Sequence, residues 1–132
     1  ESPRYGFASS DKFERLPGKT YKGVGDDANS WAVDGAKQVK WHGGQDGVYG
    51  CAWRGGDVIG LACDLAMGPV GRVHVSVNGD FSAPNGGVFT VQLAKVGGLR
   101  AAVSGRDGMV RLNLGEAPFR FKPPGVHGRP EP

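Results

Sequence analysis

The residues whose types and spacing could do chemistry are few. Asp26 and Asp27 stand side by side shortly before Trp31, and paired carboxylates divide acid and base roles when their surroundings separate their pKa values. In the run Gly23-Val24-Gly25-Asp26-Asp27, however, acidic side chains more often accept backbone N–H bonds and shape a turn. The run also lacks the oxygen spacing and the glycine of a calcium loop. His42, His74 and His127 lie far apart, with no ligand set spaced around any of them, so zinc is not expected. A nucleophilic cysteine needs a base and an electropositive pocket. Cys63 alternates with Ile59 and Leu61 as a core residue would, and Cys51 sits in a loop with no base marked out for it. The glycine-rich stretch Gly43 to Gly56 ends in neither Lys-Ser nor Lys-Thr and leads into no helix, so it meets neither physical requirement of a phosphate cradle. No set of acid, base and nucleophile emerges, and the expectation is a chain that is not an enzyme and needs no cofactor or metal.

Whatever these side chains do, strands must position them. Arg4 to Ala8 reads as a short strand, and Ser9 to Lys22, polar and broken by Pro17-Gly18, as a long loop. Ser30 to Asp34 alternates with Trp31 and Val33 on one face, and Val39 to His42 is expected to pair next. Gly43 to Gly56 holds too much glycine for regular structure, although Tyr49 and Trp53 give it apolar anchors that should pack it down. In Asp57 to Leu65, Ile59, Leu61, Cys63 and Leu65 share a face, the pattern expected of a central strand. Arg72 to Val77 sets Val73, Val75 and Val77 inward against His74 and Ser76, and Asn78-Gly79 ends it with a turn that needs positive φ. Val88 to Leu93, Leu99 to Ser104 and Met109 to Leu114 complete the strands, the last two as a hairpin around Gly105-Arg106-Asp107-Gly108. Pro118 to Pro124 runs out as an extended tail. About eight strands divided by turn signals imply an all-β chain whose two antiparallel sheets pack face to face as a β-sandwich.

Composition agrees. The chain has 132 residues, enough for one domain but not for two with adequate cores. Its 24 glycines and 9 prolines deplete helix and favour short strands joined by tight turns. Sixteen basic and 13 acidic residues leave a net charge of +3 with no dense block of one sign, which argues against a nucleic-acid footprint and mildly favours an acidic partner. The apolar stretch around Val58 to Leu65 is too short to span a bilayer, so no direct membrane insertion is expected. Two cysteines without CxxC spacing, and no Asn-x-Ser/Thr sequon, fit a reduced intracellular setting.

Several segments stand in an order that resembles the SPRY domain family. Arg4-Tyr5-Gly6-Phe7-Ala8 is similar to that family's R-V-G-W-A strand, Gly23 to Gly35 (GVGDDANSWAVDG) to GxGDDxxSWxxDG, and Lys40-Trp41-His42-Gly43-Gly44 to KWHxG. Gly56-Asp57-Val58-Ile59-Gly60 with Asp64-Leu65 resembles GDVIGCxxDL, and Val75 to Gly79 stands where FxxNG would. Ala102-Val103-Ser104, Arg111 to Gly115 and Pro118-Phe119-Arg120-Phe121 resemble PAVS, VRxNxG and PFKY. The matches run in register over nearly the whole chain. Three departures stand out: no counterpart of the family's opening G-x-Y-Y-x-E-V strand precedes Arg4, Val75 replaces an aromatic residue, and Arg100-Ala101 replaces Tyr-Pro. The first leads to the expectation of an N-terminally incomplete domain over residues 1–122 of a larger chain, with 123–132 a proline-rich tail or linker.

The resemblance implies a concanavalin-like sandwich that binds other proteins, in the cytoplasm or the nucleus. In such domains loops at one end of the sandwich hold a partner peptide, and the matching positions here are Tyr21, Lys22, Trp41, Ser104, Gly105 and Arg106. Their chemistry suits the role, since aromatic rings give contact area at low entropic cost, arginine offers a planar fork of donors, and glycine lets a backbone approach. Two other readings stay open: an architectural domain packed permanently in an ion channel or a cytoskeletal or ciliary assembly, and, behind it, a carbohydrate-binding sandwich.

Overall fold

The computed structural model describes residues 2–11, 23–66, 68–82, 87–106 and 108–122. In chain order the elements are β1 (Arg4–Ser9), β2 (Ser30–Asp34), β3 (Val39–His42), β4 (Gln45–Val48), β5 (Ile59–Asp64), β6 (Val70–Val77), β7 (Phe89–Gln92), the single turn α1 (Leu93–Val96), and β8 (Leu99–Ser104). They form a five-stranded sheet in the order β4-β3-β2-β1-β8 and a three-stranded sheet in the order β5-β6-β7. Every pairing is antiparallel, and the two sheets face each other as the expected all-β sandwich.

Alternation explains which residues lie between the sheets. Trp31 and Val33 of β2 and Val73, Val75 and Val91 of β6 and β7 are all but inaccessible. One group gathers Trp31, Val73, Val91 and Val96 with Phe7, Cys63 and Leu99 around it, and a second gathers Val33, Tyr49, Val75 and Val88 with Trp53, Ile59 and Leu61. Phe89 packs against both groups and joins them into one core. Tyr49 and Trp53 pin the glycine-rich segment as expected, with Tyr49 buried and the Trp53 ring centroid 6.0 Å from that of Tyr49 and 5.8 Å from that of Tyr5.

Four expectations about the elements are corrected. The stretch after His42 is not irregular: Gly43 and Gly44, at φ 62 and 75, make the two-residue turn whose twist matches a hairpin, and β4 pairs with β3 beyond it. Met109 to Leu114 forms no strand, and the hairpin around Gly105 to Gly108 is therefore absent; the segment alternates, but among the described residues no strand pairs with it. Asp57 to Leu65 yields β5 at an edge of its sheet, not at the centre. Leu93 begins α1 instead of ending a strand. Asn78-Gly79 behaves as read, with φ 51 and 85 and a bridge between Val77 and Asp80 across the turn. The loop expected over Ser9 to Lys22 starts later than read, since Ser9 ends β1 and pairs with Leu99; residues 12–22 lie outside the described residues, as do His127 and the tail at 123–132.

Candidate functional site

Phe7 packs into the core, so the alternating residues of β1, Arg4, Gly6 and Ala8, face the outer side of the five-stranded sheet. That side is covered as well. All five residues of β2 are buried, and the turn from Gly23 to Asp27 lies against them. A Cβ on Gly6 would collide with the Trp31 carbonyl oxygen and the β2 backbone, so only glycine lets β1 and β2 lie this close.

Arg4 is 5% exposed at the start of β1. Its Nη1 donates to Asp26 Oδ1 at 2.8 Å and to the Val24 carbonyl at 3.2 Å. Asp26 Oδ2 in turn accepts the Gly23 N–H at 2.9 Å, which ties the two ends of the turn together. The Arg4 guanidinium also lies over the Trp41 ring, 4.2 Å from its centroid, and a cation held over an indole face is attracted by the ring quadrupole. From the far edge of the sheet, Ser104 of β8 accepts the Val24 N–H at 2.8 Å. Gly25, at φ 95, completes the contact, because a Cβ there would come within 2.5 Å of the Trp41 Cβ. Asp27 accepts the Ser30 hydroxyl, and Ser30 Oγ accepts the Gly25 N–H at 2.7 Å. The two aspartates thus shape the turn, as the structural reading of the sequence expects.

Of the six candidate positions, the structure brings Trp41 and Ser104 into one constellation although they stand on strands three places apart in the sheet. Gly105 is exposed and lies against Pro3, and Arg106 is exposed and forms no ion pair among the described residues. Tyr21 and Lys22 lie outside the described residues, directly before Gly23 in the chain. Sequence reasoning did not select Arg4 and Asp26, which join the other two; the signal available was an arginine and an aspartate in consecutive motifs, with nothing to say they meet. Trp41 is half-buried, and its indole N–H is shielded with no acceptor among the described residues. A shielded polar group without a partner is unusual in a folded protein.

A cleft of about 410 Å³ is lined by Trp31, His42, Phe89, Thr90 and Gln92 among others. His42 stacks on Trp31 with centroids 4.8 Å apart and its Nδ1 lies 2.9 Å from the Ser30 carbonyl. Cys51 and Cys63 are free thiols; burial, reinforced by the neighbouring Asp64 charge, raises the Cys63 pKa. Among the described residues no group of three His, Cys, Asp or Glu side chains converges as metal ligands, and no helix is long and apolar enough to cross a membrane.

No protein-family model matches the chain. It is similar to the E3 ubiquitin-protein ligase RKP of Arabidopsis thaliana, 36% identical over 104 residues that cover 76% of this chain and 8% of the ligase. The chain therefore spans less than a tenth of that relative's length.

Proposed function

We propose that this chain is a non-catalytic protein-interaction module of the SPRY type within a larger intracellular polypeptide, and that it grips a partner peptide at the end of the sandwich marked by Trp41, Ser104, Gly105 and Arg106. The observation that carries the reading is the convergence of Trp41 and Ser104 on the Gly23–Asp26 turn through Arg4. That constellation sets an aromatic ring and an ordered cation beside Ser104, which precedes the exposed Gly105 and Arg106 in the chain. A peptide carboxylate or carbonyl would suit Arg106, whose fork is exposed. Likeness to a segment of an E3 ubiquitin-protein ligase supports a recruiting role, in which the module selects a protein for a ligase or a similar machine to act upon.

The test uses the full-length protein. Affinity capture followed by crosslinking mass spectrometry should give crosslinks from the partner to Lys22 and to the segment holding Arg106, and Arg106→Glu should weaken capture while thermal unfolding stays nearly unchanged. Capture that survives Arg106→Glu and Trp41→Phe, with crosslinks to other faces, would reject this end of the sandwich as the site.

A further inference from the structure

Asn78-Gly79 is a pair at which a polypeptide readily alters itself. The backbone nitrogen that follows an asparagine can attack the side-chain amide, and glycine, with no Cβ, leaves that nitrogen unhindered. A bond then forms between the Gly79 nitrogen and the Asn78 Cγ, the Cγ–Nδ2 bond breaks, and ammonia leaves with the proton that the Gly79 nitrogen gives up. Water opens the resulting five-membered imide at either carbonyl. The product is aspartate, or isoaspartate with the backbone routed through the former side chain. A second such pair, Asn85-Gly86, lies outside the described residues.

The fold holds Asn78 in a way that bears on this reaction. Its N–H donates to the Val58 carbonyl at 2.8 Å, and its side-chain oxygen accepts the Val58 N–H at 2.9 Å. Its Nδ2 donates to Asp57 Oδ1 at 3.1 Å, and Asp57 Oδ2 is fixed in turn by the Arg54 N–H at 3.0 Å. Both ends of the amide are thus engaged by the two residues that lead into β5. Ring closure needs the same amide turned onto its own following peptide, and the side chain can do only one or the other. Gly79 is packed as well, since a Cβ there would meet the Phe121 ring at 2.9 Å. A group held in this manner reacts through the fraction of molecules in which the contact has opened.

We propose that Asn78 is a deamidation site held in check by Asp57 and Val58, and that its conversion is a one-way switch which loosens the joint between β5 and β6. The product cannot rebuild the clamp. Where Nδ2 donated to Asp57, the converted residue presents a second carboxylate, and like charges at hydrogen-bond distance repel. Isoaspartate also lengthens the main chain by one carbon, inside a turn whose two residues stand at φ 51 and 85. Neither product reverts, because the ammonia has left. None of these residues is among those assigned to partner binding above.

The experiment ages the intact protein at mildly alkaline pH, in native buffer and in urea, and follows it by peptide mass spectrometry with fragmentation that separates Asn78 from Asn85. Asn78 should convert more slowly in the folded protein by on the order of tenfold or more, since two side-chain hydrogen bonds must open first. Asp57→Ala should raise the folded rate by about fivefold, the worth of one such bond, and leave the rate in urea unchanged. In the converted protein the Val58 and Asn78 amides should exchange hydrogen faster than in the fresh one. Equal rates in buffer and urea, a folded rate that Asp57→Ala does not raise, or unchanged exchange after conversion would each overturn the proposal. Should Asp57→Ala fail to fold, its two rates coincide, and the wild-type ratio and the exchange measurement decide.

Discussion

Arg4 carries its charge to a place that water hardly reaches, and what keeps it there is the carboxylate of Asp26, itself only 11% exposed. A charge so placed is tolerable only while paired, and removing one member leaves the other unmatched in a poorly solvated site. Arg4→Met should therefore lower the unfolding free energy by about 3 kcal/mol, measured by urea denaturation, and the double variant with Asp26→Asn should recover part of the loss. Cys63 offers a pH-dependent counterpart. Its thiol is held above the ordinary 9.0 by burial and by Asp64, so the fold favours the neutral form. Alkylation of Cys63 should be slow near pH 8, and the stability it contributes should be present below pH 9 and fall as pH rises through its folded pKa. Residues of this kind divide by how much of their role is local. Trp31 and Cys63 were legible as core because alternation reports the face a side chain takes, whereas the meeting of Arg4 with Trp41 depends on a turn crossing the sheet, which no short pattern encodes.

Strands were legible where apolar residues alternate and a turn closes the run. The β6 end shows why. Asn78 takes a left-handed φ of 51, its side-chain oxygen accepts the Val58 N–H, and its amide donates to Asp57 at 3.1 Å. Asn78→Ala removes the cap and strains the backbone, and a loss of about 1–2 kcal/mol is expected; Asn78→Gly relieves the strain but not the missing bond, and should lose less. The bonds from Arg54 and Asn78 also hold the exposed Asp57 carboxyl below its ordinary pKa. Its support for this turn is present above about pH 4 and disappears as the pH falls through the lowered value, so Asp57→Asn should flatten the acid limb of a stability profile. β4 was hidden because glycine reads as a breaker, although two adjacent glycines are also what a tight hairpin requires. Met109 to Leu114 misled in the other direction. Val110, Leu112 and Leu114 alternate as a strand would, yet remain 42%, 55% and 73% exposed, since a strand exists only by virtue of the neighbour it bonds to, and that neighbour is not written in the segment itself.

At the scale of the molecule, the division of the core into two groups has consequences for how the fold gives way. Phe89 is the side chain they have in common, and it stands on β7, one of the shortest strands. Truncation to alanine removes contacts from both groups at once, and Phe89→Ala should reduce stability by about 3 kcal/mol with a shallower denaturant slope than Arg4→Met. Fluorescence from Trp31, which belongs to one group, and Trp53, which packs on the other, would then no longer follow a single transition. The general architecture was readable from composition and turn spacing, because those set the number of layers. The inequality of the two sheets was not, because it depends on which runs find partners.

The small turn that seats Trp41 adds a mechanical consequence. Gly25 meets the Trp41 Cβ and carbonyl through bare backbone, the Arg4 guanidinium links the indole face to the same turn, and Ser104 meets that turn from the opposite margin of the sheet, so a load placed on the ring is passed through Arg4 and the turn to the last strand. A ligand pressing on Trp41 would be felt at the start of the segment that follows Ser104, which makes that turn a lever between the end proposed to hold a partner and the residues after Ser104.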